Sequence, residues 1–402
     1  MEKKILFLGG AHHQCPIIKK ANDLKFNTIC VDNIPNNPGH KIAHKSKIIS
    51  TIDKNKILEY AYKEKIDSVI CYGTDIALET QSYICDNLKL PGPKIETVNI
   101  LTKKNNFRFF LNNFKIQHSD YLVIKNKLNT NHKKEVNKLL KKYNNGLYVK
   151  PIDSSGSKGV SQFKKIVELE DCIKFAFKYS KSKNIIIENS IKSIRPQLCG
   201  DGFIMNKKII FVGFGNGCFY DKVNAPYAEY FPSSYIDTYL NSAISKMEKI
   251  FSKAKYENGP FNLDIIFDLN DEPIVIELTP RAGGNFLPQA IKHSYGVDLD
   301  LLILKYSLNE VIENIDYAVT KNEFIYNYMV HSKVRTIYNG KTKFPNEFSK
   351  PFKVDIFIKN GQSVDSFSHG GNSVGNIMWK INNFKLIFKL DRLIKNNPLF
   401  QI

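Results

Sequence analysis

Two carboxylates, Asp264 and Glu277, are spaced so that they could hold a divalent cation together. They lie in two apolar segments, Phe261 to Phe267 and Ile274 to Leu278, which read as neighbouring strands joined by a short polar turn. Both residues are equally far from the centre of that turn, so a symmetric hairpin would set them opposite each other, with Cβ atoms about 5 Å apart. Carboxylates that close repel each other unless a cation lies between them. Thr279 would point to the same face, and hard oxygen ligands of this kind suit Mg²⁺; the alternative is an acidic pair on a surface hairpin.

A lysine and a small hydroxyl-rich loop form a second candidate for chemistry. The segment from Tyr148 to Pro151 reads as a strand that carries Lys150, and residues 154–159 (Ser-Ser-Gly-Ser-Lys-Gly) follow it. Backbone N–H groups of such a loop can bind phosphate oxygens, while the lysine supplies a positive charge. The P-loop pattern is absent, and a mobile hairpin turn is the alternative.

The third candidate is Arg281, which follows a proline and precedes Gly283 and Gly284. A guanidinium held in this way could bind a phosphate or a carboxylate through two parallel hydrogen bonds. The alternative is a structural arginine that caps the C-terminus of a helix.

The elements that must position these groups follow from the apolar pattern. Over the first 95 or so residues, short apolar strands alternate with helical stretches, which predicts a parallel sheet with helices on both faces. Residues 94–119 read as one helical stretch, and the last 80 or so residues as mostly strand, with a helix near Lys389 to Lys395. Gly9 and Gly10 follow the first strand without the G-x-G-x-x-G pattern, so they are either a tight turn or a place where a ligand approaches the backbone.

Composition excludes several classes of protein. The seven cysteines are never spaced as C-x-x-C, which argues against a zinc ribbon or a disulfide scaffold. The formal charge is +19, but only five of the 58 basic residues are arginines, so a nucleic-acid partner is not expected. No apolar run approaches the ~18–20 residues of a membrane helix. We therefore expect a cytoplasmic protein without a membrane partner.

Taken in order along the chain, these motifs resemble those of the ATP-grasp superfamily. Leu101 to Arg108 resembles its D-K-x-x-x-R helix, and Val149 to Val160 resembles its second lysine and glycine-rich loop. Ile186 to Ile191 resembles its adenine hinge, and Glu277 to Gly284 resembles its E-x-N-P-R-x-G-G motif. The resemblance covers nearly the whole chain.

The resemblance implies a set of site residues. Those expected to bind ATP are Lys104, Lys150, Ser155, Gly156, Ser157, Gly159, Glu188, Ile191 and Gln197. Those expected to hold Mg²⁺ or Mn²⁺ are Asp264, Glu277 and Thr279. Arg281 and Lys150 are expected to be catalytic, with Arg281 steadying an acyl phosphate or the incoming carboxylate.

The fold class implied by the resemblance is α/β and α+β, with an N-terminal doubly wound parallel sheet (the pre-grasp domain) followed by the two-lobed ATP-grasp fold. The expected domains are residues 1–95, the pre-grasp domain; 96–183, the central lobe with its linker helix; and 184–402, the C-terminal lobe with a β-rich extension.

The activity implied is that of a ligase that uses ATP to activate a small-molecule carboxylate as an acyl phosphate and transfers it to an amine. A homodimer is an expectation from the family. The alternatives are a bicarbonate-dependent carboxylase of the purine-biosynthesis type and a protein that binds nucleotide without catalysis. Acceptor specificity is expected in residues 9–12 and 73–75, in the Gly283-Gly284 turn and in a long covering loop from Asn216 to Tyr230 that carries Tyr220, Lys222, Tyr227 and Glu229. His12 and His13 are either catalytic or turn residues.

Three positions depart from the family pattern. Thr279 replaces the metal-binding asparagine, Gln197 lies where an acidic residue usually binds the ribose, and Lys103 replaces the aspartate before the first lysine. Thr279 is a shorter ligand that offers a hydroxyl oxygen, and Gln197 would bind a hydroxyl group less strongly than a carboxylate does. Together the three departures leave weaker nucleotide binding or an inactive member as a further possibility.

Overall fold

The N-terminal part of the chain forms a four-stranded parallel sheet. The computed structural model describes residues 2–221, 223–313, 315, 323–341, 344 and 348–398. The first elements are β1 (Lys4–Leu8), α1 (Cys15–Asp23), β2 (Asn27–Asp32), α2 (Gly39–Ile42), β3 (Lys45–Ile48), α3 (Lys54–Glu64), β4 (Ser68–Cys71) and α4 (Leu78–Leu88). The strand order is β3-β2-β1-β4.

This sheet is covered on both faces. Ile5 and Phe7 of β1 pack in the same core as α1, whereas Leu6 and Leu8 pack in the same core as α3 and α4. The expected doubly wound parallel sheet is therefore confirmed. The edge strand β3 was not predicted, because all four of its residues are exposed and three are polar, so it carries no apolar signal.

Gly10 lies in a close approach between two backbones. Its N–H donates to Asp32 Oδ2 over 2.8 Å, and its carbonyl accepts from the N–H of Gly39 at 2.8 Å. A Cβ on Gly10 would lie 2.8 Å from Cys30 Sγ and 3.1 Å from Gly39 Cα. The contacts of Gly10 therefore favour a tight turn over a place where a ligand approaches the backbone.

We expect Gly10→Ala to lower the free energy of unfolding by about 1–3 kcal/mol, because the added methyl group must displace packed atoms. Urea unfolding of both proteins measures this difference. Gly370→Ala is the control, since a Cβ there meets nothing within 4 Å. Equal losses in the two variants would contradict the explanation.

The second sheet is antiparallel and follows two helices. Its elements are α5 (Ile95–Thr102), α6 (Lys104–Asn113), β5 (Tyr121–Lys125), α7 (Thr130–Lys142), β6 (Leu147–Pro151), β7 (Ser161–Phe163), α8 (Leu169–Tyr179) and β8 (Asn184–Asn189). The single helical stretch predicted over residues 94–119 is two helices, because the backbone of Lys103 is extended. The strand order is β5-β8-β6-β7. A domain boundary between residues 183 and 184 would separate β8 from both of its partners, so we place that boundary after Asn189.

The third sheet has eight strands. The remaining elements are β9 (Leu198–Met205), β10 (Lys208–Tyr220), β11 (Val223–Phe231), α9 (Asp237–Ala254), β12 (Gly259–Phe267), β13 (Pro273–Thr279), α10 (Leu287–Tyr295), α11 (Leu299–Ser307), β14 (Phe324–Val330), β15 (Thr336–Ile337), β16 (Lys353–Ile356), β17 (Ser363–Val364), β18 (Gly375–Ile381) and α12 (Phe384–Asn396). The order in the large sheet is β13-β12-β9-β10-β11-β14-β18-β16, and β15 pairs with β17 apart from it. Helices α9 and α12 pack on one face.

The expected covering loop from Asn216 to Tyr230 is wrong. These residues form a β-hairpin, β10 and β11, that extends the large sheet. Tyr227 and Glu229 are buried rather than exposed. Lys222 lies outside the described residues.

In the part of the chain that the structure describes, no helix is both long enough and apolar enough to cross a membrane.

Candidate active site

The two carboxylates of the β12–β13 hairpin lie opposite each other, as the spacing predicted. Asp264 is the register partner of Glu277. Burial and, next to it, the charge of Glu277 raise the pKa of Asp264 to about 7, although Gln197 Nε2 donates to Asp264 Oδ1 over 2.8 Å. A cation bound beside Asp264 would favour the ionised form of this carboxyl group.

The donor set at this pair fits a hard divalent cation. Thr279 lies two residues beyond Glu277 on the same strand, and its Oγ1 is buried without a hydrogen-bond partner. Two carboxylates and a hydroxyl offer the oxygen ligands that Mg²⁺ or Mn²⁺ prefers. Within the described residues, no set of three or more His, Cys, Asp or Glu side chains is arranged to hold a metal, so this pair would need ligands from a bound molecule or water.

Most of the residues expected to bind ATP surround one cavity of about 330 Å³. The predicted residues that line it are Lys104, Lys150, Ser155, Gly156, Ser157, Glu188, Ile191, Gln197, Asp264 and Glu277. Gly159 is different: its φ is +76°, and a Cβ there would press on Pro151 and Tyr179. Gly159 therefore shapes the loop by packing and lies apart from the lining of the cavity.

Glu188 is the centre of a buried ion triad beside this cavity. Arg108 Nε donates to its Oε1 over 2.6 Å, and Lys150 Nζ donates to its Oε2 over 2.7 Å. Burial alone would raise the pKa of Glu188, but the two cations outweigh burial and lower that pKa to about 2. The sequence analysis did not predict that Arg108 contacts Glu188, because 80 residues separate them and only the fold places them together.

The glycine-rich loop is docked over the cavity on two sides. Ser157 Oγ donates to the carbonyl of Asn224 over 2.9 Å, and the N–H of Gly370 donates to the carbonyl of Gly156 over 3.2 Å. Lys104 Nζ donates to the carbonyl of Ser154 over 2.8 Å. The loop therefore bridges the hairpin β10–β11 and the C-terminal segment.

A second cavity, of about 460 Å³, adjoins the first. The two cavities share six lining residues: Ser155, Gly156, Ser157, Phe219, Asp264 and Glu277. The carboxylate pair and the loop thus form the boundary between the two spaces.

Arg281 lines this second cavity and is buried. Its Nε donates to Asp75 Oδ1 over 2.6 Å, which connects it to the N-terminal sheet's domain. It also donates to the carbonyl of Ala282. The guanidinium is therefore fixed in position by an ion pair beside the cavity.

The residues expected to confer acceptor specificity are only partly brought together. Those that line the second cavity are Ala11, His12, Gly73, Thr74, Gly217, Phe219, Ala225, Pro226, Glu229 and Gly284. His13, predicted as either a catalytic or a turn residue, lines it as well. Burial lowers the pKa of His13 to about 4, so this ring is neutral near pH 7. His12 stacks on Phe357, with ring centroids 4.0 Å apart. Gly10 packs against the backbone instead, and Tyr220 lines the first cavity.

Comparisons with known proteins agree with this architecture. No family model matches the chain. It is 25% identical over 190 residues to the formate-dependent phosphoribosylglycinamide formyltransferase of Wolinella succinogenes; this match covers 47% of the chain and 48% of the relative. The chain thus spans about half the length of the curated relatives it matches.

Solved structures match over the whole length. The L-amino acid ligase of Bacillus licheniformis has a TM-score of 0.78 at 15% identity, covering 98% of this chain and 97% of that one. The N5-carboxyaminoimidazole synthetase of Staphylococcus aureus, solved with ADP, has a TM-score of 0.75 at 12% identity, covering 98% and 97%. With its parallel N-terminal sheet followed by two antiparallel sheets, the chain therefore shares the fold of these solved structures.

Proposed function

We propose that this protein is an ATP-dependent ligase that activates a carboxylate as an acyl phosphate and transfers the acyl group to an amine, releasing ADP and phosphate. The observation that carries the proposal is the boundary shared by the two cavities. A nucleotide in the first cavity would direct its terminal phosphate towards Asp264 and Glu277, and a substrate in the second cavity would meet it there. This arrangement suits phosphoryl transfer from one bound molecule to the other.

The charges around the first cavity support nucleotide binding. Lys104 and Lys150 would contact the phosphates, and the N–H groups of the loop from Ser155 to Ser157 would bind phosphate oxygens. Both lysines are held within the protein by hydrogen bonds, so their positions are set before a ligand arrives. Preorganised charges of this kind are the main source of stabilisation in phosphoryl transfer.

Asp264, Glu277 and Thr279 would hold Mg²⁺ or Mn²⁺, which when bound would neutralise phosphate charge. Arg281 would hold the substrate carboxylate or the acyl phosphate. Its ion pair with Asp75 limits its motion and leaves the remaining guanidinium N–H groups for the ligand.

The relatives support the same reaction class. The name of the curated relative includes formate, which is a carboxylate, and one solved structure is named as an amino acid ligase. Another was solved with ADP. The homodimer and the cytoplasmic location stay predictions.

ADP release from Mg-ATP tests the proposal. The purified protein is given pooled amino acids, pooled uronic acids or bicarbonate, each with and without an amine pool. Release that requires one carboxylate pool and an amine would support the ligase. Release with bicarbonate and an aminoimidazole ribotide would favour the carboxylase instead, and ATP binding without release from any pool would favour a protein that only binds nucleotide.

A further inference from the structure

Glu229 is a buried carboxylate on the wall of the second cavity. It lies on β11, between Gly217 of β10 and Asn327 of β14 in the register of the sheet. It is only 2% exposed, yet it lines the cavity together with Gly217, which has no side chain to cover it. The carboxylate is thus available to a ligand in the cavity and is otherwise shielded from water.

Two buried asparagines hold this carboxylate. Asn376 Nδ2 donates to Asn327 Oδ1 over 2.6 Å, so the amide group of Asn327 must present its NH₂ on the other side. That NH₂ donates to Glu229 Oε2 over 3.0 Å and to the carbonyl of Asn285 over 2.9 Å. Both asparagines are fully buried. Buried polar groups are costly unless they are hydrogen-bonded, and the hydrogen bonds of this chain across neighbouring strands fix the position of the Glu229 carboxyl group on the cavity wall.

The surrounding charges leave Glu229 without a counter-ion. Burial raises the pKa of Glu229 well above its usual range, and the carboxylates of Asp264 on β12 and Asp201 on β9 raise it further. Among the described residues, the hydrogen bond from Asn327 is the only interaction found that favours its ionised form. Arg281, on the same cavity, forms its ion pair with Asp75 rather than with Glu229. These surroundings therefore favour the neutral carboxyl group of Glu229, and a cationic ligand would favour its ionised form by supplying the opposite charge.

We propose that Glu229, positioned by Asn327 and Asn376, binds a positively charged amine of the molecule that fills the second cavity. This inference rests on the proposed function in that it assigns the amine-bearing substrate to this cavity. It defines the substrate class as a small molecule with a free primary ammonium group, in contrast to a neutral amide or an N-acylated compound.

The test is ligand-induced stabilisation, which does not depend on turnover. The unfolding temperature of the protein is measured with a millimolar pool of free amino acids and with the same pool N-acetylated, in the presence of Mg-ADP. We expect the free amines to stabilise the wild type and the N-acetylated pool not to do so. In Glu229→Gln, which keeps the side-chain size and the acceptor for Asn327, the apparent affinity for the free amines should fall at least tenfold.

Two controls keep the result interpretable. Glu323→Gln, at an exposed ion pair with Lys380, should respond as the wild type does. Stabilisation of Glu229→Gln by Mg-ADP alone should also be unchanged, which establishes that the variant is folded. Equal response of Glu229→Gln and the wild type to free amines, or no response of the wild type to them, would overturn the inference. If the wild type is stabilised by free amines but releases no ADP with any carboxylate pool, only the proposed ligase activity is overturned.

Discussion

Glu277→Gln is expected to reduce ADP release by roughly 10²–10³-fold, which is the scale of losing one preorganised group that stabilises a charged transition state. The amide keeps the size of the side chain but removes the negative charge that, together with Asp264, would hold the cation. The measurement is the initial rate of ADP release as a function of Mg²⁺ concentration. The variant should require more Mg²⁺ and reach a lower maximal rate.

The same substitution should leave the fold intact, which separates the effect from unfolding. The charge of Glu277 adds to burial in raising the pKa of Asp264, so its removal relieves a repulsion. Glu272→Gln is the matched control, because Glu272 precedes the same strand, is largely exposed and is only distantly paired with Lys246. Full activity in Glu277→Gln would refute the metal assignment, as would an equal loss in Glu272→Gln.

Local sequence patterns predicted the carboxylate pair because the hairpin that holds it is local. The two strands are apolar and the turn between them is polar, and the predicted pairing of Asp264 with Glu277 is observed. The register shift between Asp264 and Ile265 that accompanies this pairing is not visible in the spacing. The parallel N-terminal sheet was predicted for a similar reason, since its strands are short apolar runs separated by helices. Sequence patterns were therefore sufficient to predict strands whose neighbouring elements are close to them in the chain.

The hairpin from Lys208 to Phe231 was only half predicted, because its second strand lacks an apolar alternation. Gly215, Gly217 and Pro226 resemble loop residues, and the buried Glu229 resembles an exposed one. Glu229 is buried because Asn327, almost 100 residues later, pairs with it across the sheet. The buried carboxyl group on the wall of the second cavity is therefore a result of non-local pairing, and tertiary contacts override the local signal there.

The ion triad around Glu188 is non-local in the same way, and removing its carboxylate should be costly because Arg108 and Lys150 would lose their shared partner. We expect Glu188→Gln to lower the free energy of unfolding by about 3 kcal/mol at pH 7, because the substitution leaves Arg108 and Lys150 without their buried counter-charge. Urea unfolding at several pH values measures the difference. Glu170→Gln is the control, since its ion pair with Lys133 is exposed and should contribute less than about 1 kcal/mol.

The pH dependence of this difference identifies its cause. The pKa of Glu188 is lowered in the folded protein from 4.5 to about 2, so its ionised form stabilises the fold fully above pH 4.5. That stabilisation is lost as the pH falls towards 2, where the wild type becomes protonated as well. The gap between the wild type and Glu188→Gln should therefore be constant near neutral pH and should close below pH 4.5. A gap that persisted unchanged at low pH would mean that packing, rather than charge, accounts for the loss.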